Sequence, residues 1–209
     1  MPKGEGVANL FAIHSIGESL VSYLRHAYEA LPGEQRAKLP NVQSFSLFSS
    51  KEMGGGPNGS DPIRPALTLY LYRVTMNEHL RNQPVPGGSA ATRPPLALDL
   101  HYLLTVWAED AKDEHRLLGW AMNLLHTHQT LSASDLNEDG GWGTGEMVQL
   151  IPAELSNEDL MRIWDTFQRP YTLSVSYIAR VIRIDAEEGA AARPVVARRL
   201  SFGARGEAP

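Results

Sequence analysis

The sequence predicts an α+β fold in which helices pack on a mixed or antiparallel β-sheet, with a long N-terminal helix and an extended C-terminal arm. Three observations predict this class: an apolar stripe at helical spacing opens the chain, later segments alternate apolar and polar residues, and the patterns follow the order helix, strands, helix, strand, helix, strand, arm. We find no internal repeat of fixed period. The chain of 209 residues therefore suits one main domain, 1–188, followed by a basic arm, 189–209.

The first helix is predicted by apolar residues that recur at steps of three and four. Pro32 and Gly33 then end the pattern, as expected for residues that cannot continue a helix. The stripe consists of Val7, Leu10, Ile13, His14, Gly17, Leu20, Val21, Leu24, Tyr28 and Leu31.

The first half continues with strands and turn-rich connections. We expect a short strand over 42–50, a Gly- and Pro-rich loop over 51–65, and a strand where leucines alternate with threonine and tyrosine over 67–72. After another turn-rich segment, Pro94 and Pro95 can precede a strand but cannot lie inside a central one. A long strand should start there, with one apolar face formed by Leu96, Leu98, Leu100, Tyr102, Leu104 and Val106.

The second half alternates helices and strands. We expect a helix over 113–128, a short strand over 145–151, and a helix opened by a capping box at 156–159 and closed by Pro170. The β-branched and aromatic segment 171–185 is long enough for a central strand, and 194–202 can form a last strand.

Composition excludes several classes of function. The chain has no cysteine, which removes disulfides, thiolate zinc sites and cysteine nucleophiles. No apolar run is long enough for a membrane span and no leader pattern opens the chain, so we expect no membrane insertion and assembly in the cytoplasm. The net charge of −5 argues against nucleic-acid binding. Four arginines and one acid give 189–209 a charge of +3, which leaves −8 on the body. Such a tail is either merely solvated or a docking arm.

Two motifs resemble nucleotide sites without the required context. Gly54, Gly56 and Gly59 match the G-x-G-x-x-G fingerprint, yet the nearby prolines prevent a helix from starting where the pyrophosphate would need one. The same stretch has Ser60 where a P-loop requires lysine. We therefore predict a loop and no cofactor.

A third motif matches the calcium-loop pattern in full. Asp135, Asn137, Asp139, Gly140 and Glu146 have the required spacing. That site also needs a helix after its last carboxylate, and here the following residues are typical of a strand ending in a proline. We favour a polar surface loop without metal, and a calcium-binding module remains the alternative.

The remaining candidates for chemistry are histidines. His126 and His128 are two residues apart, so on a helix they point in different directions and cannot share a metal. Asp99 and His101 share a strand face and could form a general-base pair in a small hydrolase, but no nucleophile motif accompanies them. We expect a packed or subunit-facing polar pair, no catalytic residues and no enzyme.

Several short segments, taken together, follow one another in a recognisable order along the chain. They are YLYRVTMN at 70–77 followed by LRN at 80–82, RPPLALDLHYLLT at 93–105, LLGWAM at 117–122 with Leu125 and His126, Leu155 and Ser156 with Leu160 and Trp164, and PYTLSVSY at 170–177. This series resembles the N-terminal domain of the cap, or tail-terminator, proteins of contractile injection systems related to phage tails. The resemblance extends over nearly all of 10–185. The chain is short after the shared domain, and the loop at 135–146 is not a feature of the family pattern.

The resemblance implies a structural protein. It implies a homohexameric ring on the baseplate-distal end of the inner tube and sheath, which ends polymerisation and couples tube to sheath in a particle that is assembled in the cytoplasm and released in some systems. A ring-forming tail completion or connector protein is the alternative. Closed rings need two complementary surfaces, and an extended arm can add to an exposed sheet edge. The candidate arm residues are Arg193, Val195, Val196, Arg198, Arg199 and Phe202.

Overall fold

The computed structural model describes residues 8–55, 61–77 and 95–184. In this part of the chain, six strands form one sheet in the order β1-β2-β3-β6-β5-β4. The strands are β1 Ser44–Phe48, β2 Ala66–Met76, β3 Leu96–Trp107, β4 Thr130–Ser132, β5 Met147–Ala153 and β6 Ser174–Ile184. The α-helices are α1 Ala12–Glu29, α2 Gly33–Arg36, α3 Ser50–Met53, α4 Ala111–Thr127 and α5 Asn157–Thr166.

The sheet is mixed, and the predicted α+β class is confirmed. Strand β1 pairs with β2 in parallel, and all the other pairs are antiparallel. Strands β3 and β6 lie at the centre, as their apolar and β-branched composition predicts. The segment 194–202 lies outside the described residues, so the predicted last strand and the boundary of the arm stay predictions.

One face of the sheet, here called the first face, carries the main core under α1 and α4. Five of the six residues predicted for the apolar face of β3 are buried there, whereas Leu96 at the start of the strand is exposed. Leu20 and Leu24 of α1 and Leu117 of α4 pack against them. Each such side chain contributes about 1.5–3 kcal/mol by its removal from water. Packing on this face therefore holds both long helices to the sheet.

The opposite face, here called the second face, carries a smaller cluster under α5. Trp164 of α5 packs against Trp107 of β3 with ring centroids 6.1 Å apart, and Leu103 and Met53 are buried beside them. The indole N–H of Trp107 donates to Thr68 Oγ1 at 2.9 Å. The second cluster covers only part of the second face, and α5 leaves the rest to polar side chains.

Two irregularities separate the covered and the polar parts of the sheet. The pairing of β2 with β3 shifts between Leu71 and Arg73, which leaves Tyr72 as an extra residue on β2. The pairing of β3 with β6 shifts between Leu98 and Leu100. Because each bulge changes which face a residue occupies, the strand ends do not follow the simple alternation read from the sequence.

Several local elements differ from the predictions, among them the unpredicted short helix α2 after Pro32. The first helix begins at Ala12 rather than near Val7, because Ala8 forms a parallel bridge to Ile184 and Asn9 Oδ1 accepts from the N–H of Phe11. The short helix α3 lies inside the predicted loop and has a capping box between Ser49 and Glu52. Strand β4 was not predicted, because three residues give no readable alternation. None of the helices in the described part of the chain combines the length and apolarity that crossing a bilayer requires.

Candidate functional site

The candidate arm residues Arg193, Val195, Val196, Arg198, Arg199 and Phe202 lie outside the described part of the chain, so their role stays a prediction. The described residues bring together one polar cluster on the second face, beyond α5. It is formed by Thr75, Asn77, Asp99, His101 and Arg180, and we call it the polar cluster. It lies where β2, β3 and β6 run side by side after their bulges.

Asp99 is the most enclosed charge of the polar cluster, with a side chain only 8% exposed. Its carboxylate accepts from Asn77 Nδ2 at 3.2 and 3.3 Å and from Arg180 Nε at 3.1 Å. An ionised carboxylate in such a position is costly unless it is paired and hydrogen-bonded, and both conditions are met here. Asp99 on β3 thus links the end of β2, through Asn77, to β6, through Arg180.

His101 lies two residues further along the same strand and has separate partners. Its Nε2 shares a hydrogen bond of 3.0 Å with Thr75 Oγ1, and its ring packs edge-on against Tyr72 at 5.9 Å. Burial lowers the pKa of His101, and the charges of Arg73 and Arg180 lower it further against the opposing effect of Asp99. The imidazole is therefore neutral at neutral pH.

This arrangement does not resemble a catalytic relay. A general-base pair needs the carboxylate hydrogen-bonded to the imidazole and a nucleophile beside it. In the described chain Asp99 is bonded to Asn77 and Arg180, whereas His101 is bonded to Thr75. These partners are the ones expected of packed polar side chains that link neighbouring strands.

An open groove of about 310 Å³ adjoins the polar cluster between α5 and β2. Tyr72 and Arg73 form its floor, and Asp159, Arg162 and Ile163 of α5 line its side. Asp159 is bonded to Ser156 and Arg162 to Glu158, so both charged residues of α5 that line the groove have partners on the helix or at its N-cap. The groove is wide and shallow, which suits contact with another protein surface better than a small ligand.

The calcium-like loop is built into the main body instead of being arranged around an ion. Asp135 accepts from the backbone N–H and the hydroxyl of Ser132, and these bonds lower the pKa of Asp135. Glu146 accepts from the N–H groups of Ala8 and Gly143, and burial raises the pKa of its carboxyl. Strand β5 follows at Met147, where the calcium motif requires a helix.

The same loop is fastened to α1 by its backbone. Ser15 Oγ donates to the carbonyl of Asn137 at 2.8 Å and accepts from Trp142 Nε1 at 2.8 Å, and Ser19 Oγ accepts from the N–H of Asn137. Asn9 Nδ2 donates to the carbonyl of Asp139. The predicted polar surface loop is therefore a docked segment, held through the backbone of Asn137 and Asp139.

The Gly-rich loop also has a structural role. Arg169 donates to the carbonyls of Glu52 and Gly54 at 2.9–3.3 Å and forms an ion pair with Asp61. A Cβ at Gly55 would lie 2.6 Å from the carbonyl oxygen of Gln168, so this glycine permits close approach of the two backbones. Arg169 thus closes the loop against the end of α5.

Sequence reasoning identified Asp99 and His101 but missed Asn77, Arg169 and Arg180. The partner of Arg180 is 81 positions away, so no local spacing could reveal the pair. His126 and His128 lie at the end of α4, where His128 packs on Tyr23 with ring centroids 5.9 Å apart. Within the described residues, no group of three or more histidine, aspartate or glutamate side chains is arranged to hold a metal ion.

The fold and these surfaces define an α+β domain with a mixed sheet, and the polar side chains described above are engaged in packing contacts. The model of the Pvc16 N-terminal domain matches residues 15–198, and the chain belongs to this family. The resemblance in the sequence to tail terminators of contractile injection systems is thereby confirmed. No curated protein sequence gives a significant match.

Two solved structures are similar to this fold. The sheath/tube terminator of PVC, an extracellular contractile injection system, in its extended state, has a TM-score of 0.53 and 16% identity and covers 97% of this chain and 66% of its own. The tube-terminating cap of the anti-feeding prophage has a TM-score of 0.49 and 15% identity and covers 87% of this chain and 60% of its own. The chain thus spans less than two thirds of the length of each, and both are structural components of particles.

Proposed function

We propose that the protein is a structural cap of a contractile injection system that closes the baseplate-distal end of the inner tube and sheath and ends their polymerisation. The observation that best supports this is the family match over residues 15–198. The similar fold of a sheath/tube terminator, which extends over 97% of this chain, supports the same role. The internally bonded partners of Asp99 and His101 favour assembly over catalysis.

The cap assembles as a homohexameric ring and contacts the tube and sheath proteins. Identical subunits that associate head to tail need two different complementary surfaces. The acidic body and the basic arm at 189–209 supply one such contrast in charge. The ring forms in the cytoplasm, and it leaves the cell with particles that are released.

The function is tested by the length of the particles. Cells that produce tube, sheath and baseplate without this protein should give tubes of irregular length, because nothing stops addition of further rings. Negative-stain electron microscopy measures the length distribution. Particles of normal, uniform length in the absence of the protein would contradict the proposed function.

Location distinguishes a cap from a connector of the same fold. A gold-labelled tag on the protein should mark the end of the particle farthest from the baseplate. Label at an internal level, or at the baseplate, would favour the connector. Native mass spectrometry of the purified protein should give a mass of six chains.

The arm is tested separately by deletion of residues 190–209. We expect the truncated body to fold, because β6 already ends at Ile184. Loss of the arm should weaken the ring or its attachment to the sheath, seen as longer or sheath-free particles. If truncated protein still gives particles of normal length with sheath attached, the arm has no role in capping.

A further inference from the structure

The outer side of β2 is only half covered by another strand. Strand β1 pairs with Ala66 to Tyr70, which is the first part of β2. From Leu71 to Met76, β2 pairs with β3 on its inner side, and within the described residues no strand pairs with its outer side. This open edge, residues 71–76, is long enough for several backbone hydrogen bonds with an added strand.

The backbone pattern identifies which residues face outward. The N–H of Asn77 donates to the carbonyl of Ala97 at 2.9 Å, so this opposed pair is a hydrogen-bonded one. In an antiparallel ladder such pairs alternate with pairs whose backbone groups turn away from each other. Met76 and Val74 are opposed to Leu98 and Leu100 in the turned-away positions. Their N–H and C=O groups therefore point to the open edge.

The side chains at the same positions are apolar and exposed. Val74 is 44% and Met76 59% exposed, although neighbouring residues of the first face are buried. An open backbone edge beside exposed apolar side chains is a template for strand addition. A soluble chain is expected to cover such an edge in its assembled state.

We propose that the open edge 71–76 receives the segment 194–202 of a neighbouring copy as an added strand. This inference rests on the proposed ring assembly and identifies its receiving surface. Val195 and Val196 follow Pro194 and are β-branched, which favours an extended conformation. In an added strand, one of these two apolar side chains lies on the face of Val74 and Met76, because adjacent residues point to opposite faces.

Reach and topology favour a neighbouring copy over the same chain. The end of β6 lies about 14 Å from the outer side of β2, as three strand spacings, and the nine residues 185–193 can extend about 30 Å. The length of 185–193 thus allows the arm to reach the open edge of its own chain as well as that of a neighbouring copy. However, the 78–94 connection joins β2 to β3 at this same end of the sheet, and connections at one end of a sheet rarely cross. The head-to-tail arrangement avoids that crossing and can close a ring.

The absence of cysteine from the sequence permits a clean cross-linking test. Full-length chains carrying Val74→Cys are mixed with chains carrying either Val195→Cys or Val196→Cys, at a concentration where the protein is oligomeric, and oxidised. Residues opposed across a hydrogen-bonded pair have Cα atoms about 5.5 Å apart, which suits a disulfide. Because alternate side chains point to opposite faces, one of the two mixtures should give a linked dimer between unlike chains.

The matched control replaces Val74→Cys by Met122→Cys, an exposed position on α4. Its linked fraction gives the background of random collision. Linkage no greater than this background with Val74→Cys, and again with Met76→Cys, would overturn the proposal. So would linkage confined to single chains that carry both cysteines, which indicates that the arm folds back on its own edge. Linked dimers together with normal particle length in the absence of the protein would contradict the proposed function but support this contact.

Discussion

Replacement of Trp164 by alanine should strongly destabilise the protein, because this side chain attaches α5 to the second face of the sheet. Trp164 is 1% exposed and packs edge-on against Trp107 at 6.1 Å and Tyr171 at 6.3 Å. Its indole N–H has no hydrogen-bond partner among the described residues, so truncation removes packing and no polar contact. Tryptophan-to-alanine changes in protein cores cost about 3–5 kcal/mol.

Urea denaturation followed by far-UV circular dichroism measures this loss. In thermal denaturation of a domain of this size, each kcal/mol of lost free energy of unfolding lowers the melting temperature by about 2–4 °C. Trp164→Ala should therefore lower the melting temperature by about 6–20 °C. If α5 undocks before the rest unfolds, the slope of the free energy against urea should also decrease, because less surface is exposed in the main transition.

Met161 provides the control on the same helix, since its side chain is 40% exposed. Met161→Ala should change the free energy of unfolding by less than about 0.5 kcal/mol. Trp164→Phe should give an intermediate value, since it keeps an aromatic ring in the cluster. A loss below about 1 kcal/mol for Trp164→Ala, similar to that of Met161→Ala, would refute the conclusion that this contact holds the helix in place.

Three further predictions concern the polar groups. Asp99→Ala leaves Arg180 without its carboxylate and should lower the free energy of unfolding by about 2–4 kcal/mol in urea titrations, and a change within error would refute the bridging role. Because the pKa of His101 is lowered in the folded state, its proton binds the unfolded chain more tightly, and stability should fall as pH decreases through the unfolded value of about 6.5. His101→Gln should reduce this pH dependence of the free energy of unfolding, measured from denaturation curves at pH 7 and pH 5. An unchanged pH dependence would contradict its assignment to His101. Asp135→Ala should cost about 1 kcal/mol through loss of its hydrogen bonds to Ser132, with no effect of calcium on the melting temperature of either protein; a calcium-induced rise in the wild type alone would revive the calcium-site alternative.

The sequence by itself predicted the elements whose pattern is local. The alternating residues 96–106 predicted β3 and its core face, and the Ser156 capping box predicted the start of α5. The strand signal depends on the alternation of side chains, and the capping box depends on residues within one helical turn. Both patterns are set by local backbone geometry. The family was recognisable for a related reason, since the segments that carry the resemblance are short and local and occur in a fixed order.

Element boundaries were less predictable, because tertiary contacts compete with local patterns. Leu10 fits the helical stripe, yet the chain before Ala12 forms a bridge to Ile184 through Ala8, and Asn9 Oδ1 accepts from the N–H of Phe11. The calcium-like motif at 135–146 has the correct spacing, but its backbone is held by Ser15 and Ser19 of α1. Spacing alone could not distinguish ligands from docking groups.

Only the tertiary structure decided which distant residues meet. The Asp99–Arg180 pair depends on the register of β3 against β6 and on the bulge between them, since one residue of shift would move Arg180 to the other face. The open edge of β2 likewise exists because β1 stops at Phe48 while β2 continues to Met76. The order and the relative lengths of the strands are properties of the whole sheet. The periodicity of a single segment therefore cannot predict them.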